Sequence, residues 1–422
     1  MALKYLEISG GRPLFGEIQI QGSKNAALPI LVSCILSEGT CRIENCPEIK
    51  DVEDTLQIMR ELGCSTKRSG RTVYVNTSGI SGWEIRATEA SRIRSSVLFL
   101  GALLGRMGKA ALPMPGGCAI GSRPVDLHQK ALEQMGAVFR NGDQIQAECP
   151  LIQGGRIRLP FPSVGATENC LLACVLAKGE SWIENPAREP EIDELCGFLN
   201  LRGARITRRA DGSLRIQGVS RLEPGVWQIQ ADRIVAGTYL MAAACTGGSL
   251  CVSGCSRESL GAAAEVLRQM GAQVQNQEKR WAVAVRERLK GVPYIETRPY
   301  PEFPTDLQSP LMTALSVASG RSRIRETIFE NRFSTAWELH KMGARIRVEG
   351  NLACIDGVRR LRGARIQAPD LRGGAALVLA GLQAEGITRI ERTEYIERGY
   401  EDICRDLGSV GARIRVVQDA GG

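Results

Sequence analysis

A glycine-rich segment in the first third of the chain carries the strongest chemical signal in the sequence. Residues 115–124 read PGGCAIGSRP, so three glycines and two flanking prolines surround Cys118 and Arg123. Glycine and proline at this density predict a surface loop and not a core element. A thiol on such a loop is exposed, and a guanidinium group five residues away promotes its ionisation. Cys118 is therefore predicted to have a chemical role.

Cationic side chains recur at helix starts and loop edges. Lys24 follows the strand-like GEIQIQ and precedes an apolar helix, although its surroundings do not match a P-loop. Guanidinium groups pair bidentately with phosphate and carboxylate, so several of them around one cleft suit a multiply charged small substrate. Taken singly, Lys24 is equally explained as a solvated surface residue, and each arginine is more often a solvated surface residue than a ligand. The candidate arginines are Arg94, Arg123, Arg332, Arg372 and Arg398.

These residues must be positioned by a repeated structural unit. Six Gly-Ala or Gly-Cys pairs, beginning at Gly63, Gly136, Gly203, Gly271, Gly343 and Gly411, recur about every 70 residues. Most follow an amphipathic pattern such as LHQKALEQMG, and glycine is the expected helix stop. The chain is therefore predicted to contain six α/β units, each with two helices and several short strands.

The first helix of each unit begins at a polar or charged residue. Counting back from the glycine that closes each of these helices gives Lys24, Arg94, Thr167, Asp232, Asp306 and Asp370. Helix N-termini favour anions, so an aspartate there is explained as an N-cap, whereas a cation needs a bound anion. Asp306, in the turn FPTD, is the best-placed carboxylate for base catalysis, with an N-cap as the alternative.

Six units divide naturally into two domains of three. The leading segment KYLEISGGRPLFGEIQI reads as strands, and the last unit lacks a strand unless this segment pairs with the end of the chain. We therefore predict one domain over residues 22–231, with repeats one to three and the cysteine loop. The second domain is predicted to be discontinuous, with residues 1–21 and 232–422.

Composition argues for a soluble, folded protein and against several other classes of protein. The chain has 54 basic and 46 acidic residues among 422, is 43% hydrophobic and has few aromatic residues, so a nucleic-acid binder is disfavoured. No signal peptide or membrane span is apparent, which predicts a cytoplasmic protein. Fourteen cysteines lack metal-ligand spacing, and all except Cys118 are expected to be reduced and mostly buried, with raised pKa values.

Eight segments, in order along the whole chain, resemble the UDP-N-acetylglucosamine 1-carboxyvinyltransferase family. No single one of them is specific, but the ordered set is. They are GSKNAALPIL (22–31), PGGCAIGSRPVDLH (115–128), SVGAT (163–167), NPAREPEI (185–192), FPTD (303–306), ENRF (330–333), DLRGGAALVLAG (370–381) and ERGYE (397–401).

This resemblance implies enolpyruvyl transfer from phosphoenolpyruvate to the 3′-hydroxyl of UDP-N-acetylglucosamine with release of phosphate, as the first committed step of peptidoglycan synthesis. It implies an EPSP synthase-like fold of two inside-out α/β barrels, each with three βαβαββ repeats and the active site between them. No metal, cofactor or obligate protein partner is implied.

The resemblance also assigns roles to individual residues. Cys118 attacks or protonates the enolpyruvyl group, Asp306 takes the hydroxyl proton, and Lys24 and Arg398 act with them in catalysis. The phosphate and carboxylate are handled by Lys24, Arg94, Arg123, Arg332, Arg372 and Arg398. The UDP-sugar is held by Asn25, Arg123, Pro124, Val125, Asp126, Leu127, Ser163, Val164, Gly165, Asp306 and Ile328.

Two alternatives and one departure from the family pattern remain. The sister enzyme that uses shikimate 3-phosphate lacks the cysteine loop, and a non-catalytic UDP-sugar-binding paralogue would need neither acid nor base. Val235 stands where the family pattern leads us to expect an acidic residue.

Overall fold

The computed structural model describes residues 4–86, 94–114 and 125–418, which form two compact units. The terminal unit comprises the described residues up to Gln21 and those from Ala231 onward. The middle unit comprises the described residues from Gly22 to Gln230.

The α-helices are short and evenly distributed along the chain. They are α1 (Lys24–Ser33), α2 (Lys50–Glu61), α3 (Phe99–Met107), α4 (Asp126–Glu133), α5 (Val164–Cys174), α6 (Pro190–Leu201), α7 (Arg233–Thr246), α8 (Gly261–Gln269), α9 (Gln308–Val317), α10 (Thr335–Lys341), α11 (Leu371–Gln383) and α12 (Ile403–Ser409).

The strands are equally short. They are β1 (Lys4–Ser9), β2 (Leu14–Gln19), β3 (Thr40–Glu44), β4 (Ser65–Ser69), β5 (Thr72–Asn76), β6 (Lys109–Pro113), β7 (Val138–Asn141), β8 (Gln144–Glu148), β9 (Arg156–Arg158), β10 (Glu180–Glu184), β11 (Arg205–Arg208), β12 (Leu214–Gln217), β13 (Val226–Gln228), β14 (Gly248–Ser253), β15 (Gln273–Gln277), β16 (Arg280–Val285), β17 (Ile295–Glu296), β18 (Arg321–Arg325), β19 (Arg345–Glu349), β20 (Leu352–Asp356), β21 (Arg365–Gln367), β22 (Ile387–Glu391) and β23 (Arg413–Gln418).

One sheet pattern occurs six times. The orders are β15-β16-β14-β2, β17-β18-β20-β19 and β21-β22-β1-β23 in the terminal unit, and β13-β3-β5-β4, β6-β8-β7 and β11-β12-β10-β9 in the middle unit. In the first of these, β2 runs parallel to β14, and the hairpin β15–β16 adds antiparallel to β14. In the three-stranded sheet, a single parallel bridge between Glu84 and Ala111 takes the place of the first strand.

The leading strand closes the last sheet, as the sequence predicted. β1 lies antiparallel between β22 and β23, with Ile8 opposite Thr388 on one side and Ile414 on the other. The beginning of the chain thus supplies the strand that the sixth repeat lacks.

Helices fill the centre of each unit and sheets cover them. In the terminal unit α7, α9 and α11 pack on one another, and all ten residues of α9 are buried. Strands such as β18 alternate exposed and buried residues, as expected of a sheet with one face in solvent. The six glycines that close the second helices have φ between 90° and 103°, a region that disfavours other residues. The predicted fold of two inside-out α/β barrels with βαβαββ repeats is confirmed.

Candidate functional site

Lys24 begins α1 and is paired with an internal carboxylate. The Nζ atom of Lys24 lies 2.6 Å from Oδ2 of Asp51, in the first turn of α2, and both side chains are largely buried. The sequence predicted that a cation at this helix start needs an anion, and Asp51 supplies one. The hydroxyl of Ser23 caps the helix by accepting the N–H of Ala26 at 3.3 Å. Asn25, the second residue of α1, is half-buried.

The start of α5 differs from the prediction. Ser163, and not Thr167, caps this helix, because its hydroxyl accepts the N–H of Ala166 at 3.4 Å. Thr167 lies one turn inside α5 and donates its hydroxyl to the Ser163 carbonyl at 2.8 Å. Since the first N–H groups of a helix have no intrahelical acceptor, Val164 and Gly165 lie where an anion is favoured.

His128, which the sequence analysis did not assign to the site, packs directly against this helix start. A Cβ atom at Gly165 would stand 2.8 Å from Cε1 of His128, so only glycine allows the ring to approach this closely. Burial, reinforced by the Arg94 guanidinium group, lowers the pKa of His128 to about 3. The imidazole is therefore neutral at physiological pH.

Asn169 connects three segments around His128. Its Nδ2 atom lies 2.7 Å from Nδ1 of His128 and donates to the Val97 carbonyl at 3.0 Å, while its Oδ1 accepts the N–H of Gly101 at 2.6 Å. The neutral ring therefore accepts at Nδ1 and carries its proton on Nε2. This network fixes α4 and α5 relative to the 3₁₀ helix Arg94–Leu98.

The residues just before and within the first turn of α4 have ordinary structural roles in addition to the proposed ones. Asp126 forms an exposed ion pair with Lys130 at 3.2 Å, Leu127 packs against the core, and Val125 is buried. Cys118, Arg123 and Pro124 lie outside the described residues, so their predicted roles stay predictions.

In the terminal unit, Asp306 is held between two buried arginines. Its Oδ1 lies 2.6 Å from Nη2 of Arg332, and its Oδ2 lies 3.1 Å from Nη2 of Arg372. The two arginine side chains are only 2% and 4% exposed, whereas that of Asp306 is 24% exposed. Burial alone would lower the pKa of Arg372, but Asp306 and neighbouring groups raise it overall. The arrangement combines an accessible carboxylate with two permanently charged donors.

Asp306 is not a helix cap, so the alternative explanation for it is wrong. It lies in the 3₁₀ helix Thr305–Leu307, which leads directly into α9 and has no side-chain cap. By contrast, Asp232 and Asp370 do cap α7 and α11, each accepting two backbone N–H groups at 2.9 and 3.0 Å.

Ile328 and Arg398 lie on other segments of the same unit. The N–H of Ile328 donates to Glu326 at 2.8 Å, and the second oxygen of Glu326 accepts the Thr305 hydroxyl at 3.0 Å, next to Asp306. Arg398 is half-buried at the end of the 3₁₀ helix Thr393–Arg398. Glu326 was not predicted, because nothing in the local sequence distinguishes it from a surface glutamate.

Val235 is fully buried at the third position of α7 and packs in the core of the terminal unit. Its side chain therefore contributes to the hydrophobic core, where a charged residue would be costly.

The described cysteines have the predicted free state and are mostly buried, as predicted. All thirteen are free and ten are buried. Burial raises the pKa of Cys174 and Cys255 to about 12. The expectation of a raised pKa is wrong for Cys41. A hydrogen bond with the Cys34 thiol lowers the pKa of Cys41 to about 6. Burial opposes this shift, and the charge of Arg202 assists it.

Neither a metal centre nor a membrane helix is found in the described ranges. Among residues 4–86, 94–114 and 125–418, His, Cys, Asp and Glu side chains form no group of three or more that could hold a metal ion. Helices in these ranges are all too short or too polar to cross a bilayer.

Comparison with known proteins places these residues in a family. The family model described as EPSP synthase (3-phosphoshikimate 1-carboxyvinyltransferase) matches residues 8–407. UDP-N-acetylglucosamine 1-carboxyvinyltransferase 2 of Caldanaerobacter subterraneus subsp. tengcongensis is 45% identical over 409 residues, or 97% of this chain and 98% of that protein. UDP-N-acetylglucosamine 1-carboxyvinyltransferase of Lawsonia intracellularis is 45% identical over 411 residues, with the same coverage of both proteins.

Solved structures show the same fold over nearly the whole chain. The enolpyruvyl transferase NikO from Streptomyces tendae superposes with a TM-score of 0.89 at 25% identity, covering 99% of this chain and 100% of that one. EPSP synthase from Acinetobacter baumannii gives a TM-score of 0.75 at 20% identity, over 98% of this chain and 100% of that one, which shows the fold alone. The chain therefore belongs to the EPSP synthase family and, within it, to the UDP-N-acetylglucosamine 1-carboxyvinyltransferases.

Proposed function

We propose that the chain transfers the enolpyruvyl group of phosphoenolpyruvate to the 3′-hydroxyl of UDP-N-acetylglucosamine and releases phosphate. This reaction is the first committed step of peptidoglycan synthesis. The observation that carries the proposal is the Asp306 carboxylate between Arg332 and Arg372. Two buried cations stabilise its negative charge and also suit an anionic substrate. The names of the relatives supply the acceptor.

The proposed reaction is an addition of the sugar hydroxyl to phosphoenolpyruvate, followed by elimination of phosphate. Asp306 takes the proton of the 3′-hydroxyl as that oxygen bonds to C2 of phosphoenolpyruvate, while C3 gains a proton, in the family from the residue that matches Cys118. Loss of a proton from C3 and cleavage of the bond between C2 and the phosphate oxygen then restore the double bond. Phosphate leaves, and no electron carrier or metal takes part.

The negative charges of phosphoenolpyruvate release Asp306 from its ion pairs with the two arginines. The carboxylate and phosphate of phosphoenolpyruvate compete with Asp306 for Arg332 and Arg372, so a carboxylate oxygen becomes available to the hydroxyl proton. Arg398 joins them in this role. The preformed donors need little rearrangement, because both arginines are already buried and oriented.

In the middle unit, the free N–H groups at the start of α5 suit the diphosphate of the UDP-sugar. We assign this role to Ser163, Val164 and Gly165. Asn25, Arg123 to Leu127, Asp306 and Ile328 complete the sugar-nucleotide contacts. Lys24 and Arg94 bind the phosphate or carboxylate of phosphoenolpyruvate, with the Lys24–Asp51 ion pair orienting the lysine.

We also propose that the enzyme works in the cytoplasm on these two small molecules alone. No nucleic acid, membrane or obligate protein partner is part of the proposal. The proposed residues are distributed over the predicted domains, which span residues 22–231 and 1–21 with 232–422.

A phosphate-release assay tests the proposal. Purified protein is mixed with phosphoenolpyruvate and either UDP-N-acetylglucosamine, shikimate 3-phosphate or no acceptor. We expect release only with the UDP-sugar. Release with shikimate 3-phosphate alone would assign the chain to the sister activity, and no release with either would favour a binding paralogue.

A further inference from the structure

Four buried side-chain polar atoms without a hydrogen-bond partner lie on the segments that carry Asp306, Arg332 and Arg372. Within the described residues, Nε2 of Gln308, Oγ of Ser334, Oδ2 of Asp370 and Nη1 of Arg372 are buried and make no hydrogen bond. A buried donor or acceptor without a partner is costly, so most such groups in native proteins are satisfied. Their location on the segments that carry the proposed substrate-binding residues favours completion by a polar ligand.

Gln308 is the most informative of these, because two hydroxyl groups orient its amide. The Thr335 hydroxyl donates to Oγ of Ser309 at 3.3 Å, and the Ser309 hydroxyl donates to Oε1 of Gln308 at 3.1 Å. All three residues are fully buried. The amide oxygen is therefore occupied, and the amide nitrogen is left as a free donor.

This chain of hydroxyl groups runs from beside Arg372 to beside Asp306. Gln308 is the first residue of α9, two positions after Asp306. Thr335 touches the helix that carries Arg372, since a Cβ atom at Gly373 would stand 2.6 Å from its hydroxyl oxygen. Gln308 is therefore fixed between elements that already carry proposed substrate-binding residues.

We propose that Gln308 is a further substrate-binding residue, whose Nε2 donates to an anionic oxygen of phosphoenolpyruvate, and that Thr335 and Ser309 are its positioning residues. The inference rests on the proposed function, because Arg332 and Arg372 are the groups assigned to that substrate. A neutral donor beside two guanidinium groups supplies a directional hydrogen bond without a further charge. Such a bond helps to hold the planar anion in one orientation.

The test compares Gln308→Met, which keeps the length of the side chain, with the wild-type enzyme. A lost hydrogen bond to a charged group predicts a KM for phosphoenolpyruvate raised about tenfold or more. The KM for UDP-N-acetylglucosamine should change less than twofold. Gln308→Glu should raise the KM for phosphoenolpyruvate further, because a carboxylate repels the anion. Thr335→Val, which frees the amide to rotate, should give a smaller rise in the same constant.

Thr388→Val is the matched control. Thr388 is also buried with an unpartnered hydroxyl, but it lies on β22 beside Gly381, two to three turns along α11 from Arg372. We expect wild-type constants for it. The inference is overturned if folded Gln308→Met or Gln308→Glu keeps the wild-type KM for phosphoenolpyruvate, or if both KM values rise equally.

Failure of this inference and failure of the proposed function are distinguishable. Binding of phosphoenolpyruvate to the wild type and to Gln308→Met is also measured by calorimetry, without an acceptor. Weaker binding by the variant supports the inference even if the acceptor has been assigned wrongly, whereas equal binding contradicts it.

Discussion

At the scale of single residues, Asp306 has two functions that substitution can separate. It is the proposed base, and its charge also stabilises two buried arginines. Asp306→Asn keeps the shape of the side chain but removes its charge. Turnover should fall about 10²- to 10⁴-fold, because general-base help is lost. Wild-type turnover in this variant would remove Asp306 from the mechanism.

The same variant should be less stable than the wild type, because the charge of Asp306 also has a structural function. Loss of the charged carboxylate between two buried guanidinium groups should lower the free energy of unfolding by about 3 kcal/mol. Phosphoenolpyruvate should restore more stability to the variant than it adds to the wild type, since its charges replace the missing carboxylate. Urea unfolding with and without phosphoenolpyruvate measures both effects, and equal gains would contradict the proposed anion site.

Cys118 is expected to be the one selectively reactive thiol. Ten of the thirteen other cysteines are buried, including Cys41, whose lowered pKa is offset by its lack of access to solvent. Fosfomycin, an epoxide that resembles phosphoenolpyruvate, should alkylate Cys118 faster when UDP-N-acetylglucosamine is present. The partly exposed Cys251, Cys354 and Cys404 serve as internal controls. Peptide mapping by mass spectrometry identifies the alkylated cysteine, and label on a cysteine other than Cys118 would contradict its proposed role.

Cys118→Asp provides the complementary result. A carboxylic acid can also deliver a proton when its pKa is suitably raised, but it does not form the thioether. The variant should therefore resist fosfomycin and keep part of its activity. Complete inactivity of a folded Cys118→Asp protein would indicate that sulfur chemistry is required.

At the scale of elements, His128 makes the joint between α4 and α5 sensitive to acid. Its folded-state pKa of about 3 is far below the ordinary value of about 6.5. Between these values the unfolded chain binds a proton that the folded protein excludes. The stability contribution is therefore complete above about pH 6.5 and is lost as the pH falls toward 3.

The expected outcome is a difference in pH dependence between the wild type and His128→Gln. The free energy of unfolding of the wild type, minus that of the variant, should decrease from pH 7 to pH 5. Effects of other titrating groups, such as Glu194, whose pKa burial raises to about 7, are common to both proteins and cancel. Identical pH slopes in urea unfolding would contradict a buried neutral histidine.

The repeats could be predicted from the sequence because their signals are local. The site could be predicted only in part, because its residues lie far apart in the sequence. Glycine stops and the caps Asp232 and Asp370 depend on neighbouring residues, so the sequence alone indicated six units and most helix starts. Thr167 was assigned wrongly because Ser163 and Thr167 are both acceptable caps one turn apart. The pairing of Asp306 with Arg332 and Arg372 joins residues that are 26 and 66 positions apart in two successive repeats, and no local pattern encodes it.

At the scale of the whole molecule, β1 links the two ends of the chain. Ile8 is fully buried between β22 and β23, so Ile8→Ala should cost about 3 kcal/mol and loosen the terminal unit. Hydrogen exchange should accelerate in β22, β23 and α11, with little change in α1, α3 and α5.

A matched substitution in the other unit gives the converse pattern. Ile43 is equally buried on β3, and Ile43→Ala should accelerate exchange in the middle unit. If either variant loosened both units to the same extent, the two units would not be separate cooperative bodies.

Transfer of the enolpyruvyl group to the UDP-sugar is tested most directly by mass spectrometry of the nucleotide product. Protein, phosphoenolpyruvate and UDP-N-acetylglucosamine are incubated together, and the nucleotide is recovered while released phosphate is counted. We predict a UDP-sugar that is heavier by one enolpyruvyl group, formed in equal amount to the phosphate and about 10²- to 10⁴-fold more slowly with Asp306→Asn. Phosphate released while the mass of the UDP-sugar stays unchanged would contradict the proposed reaction.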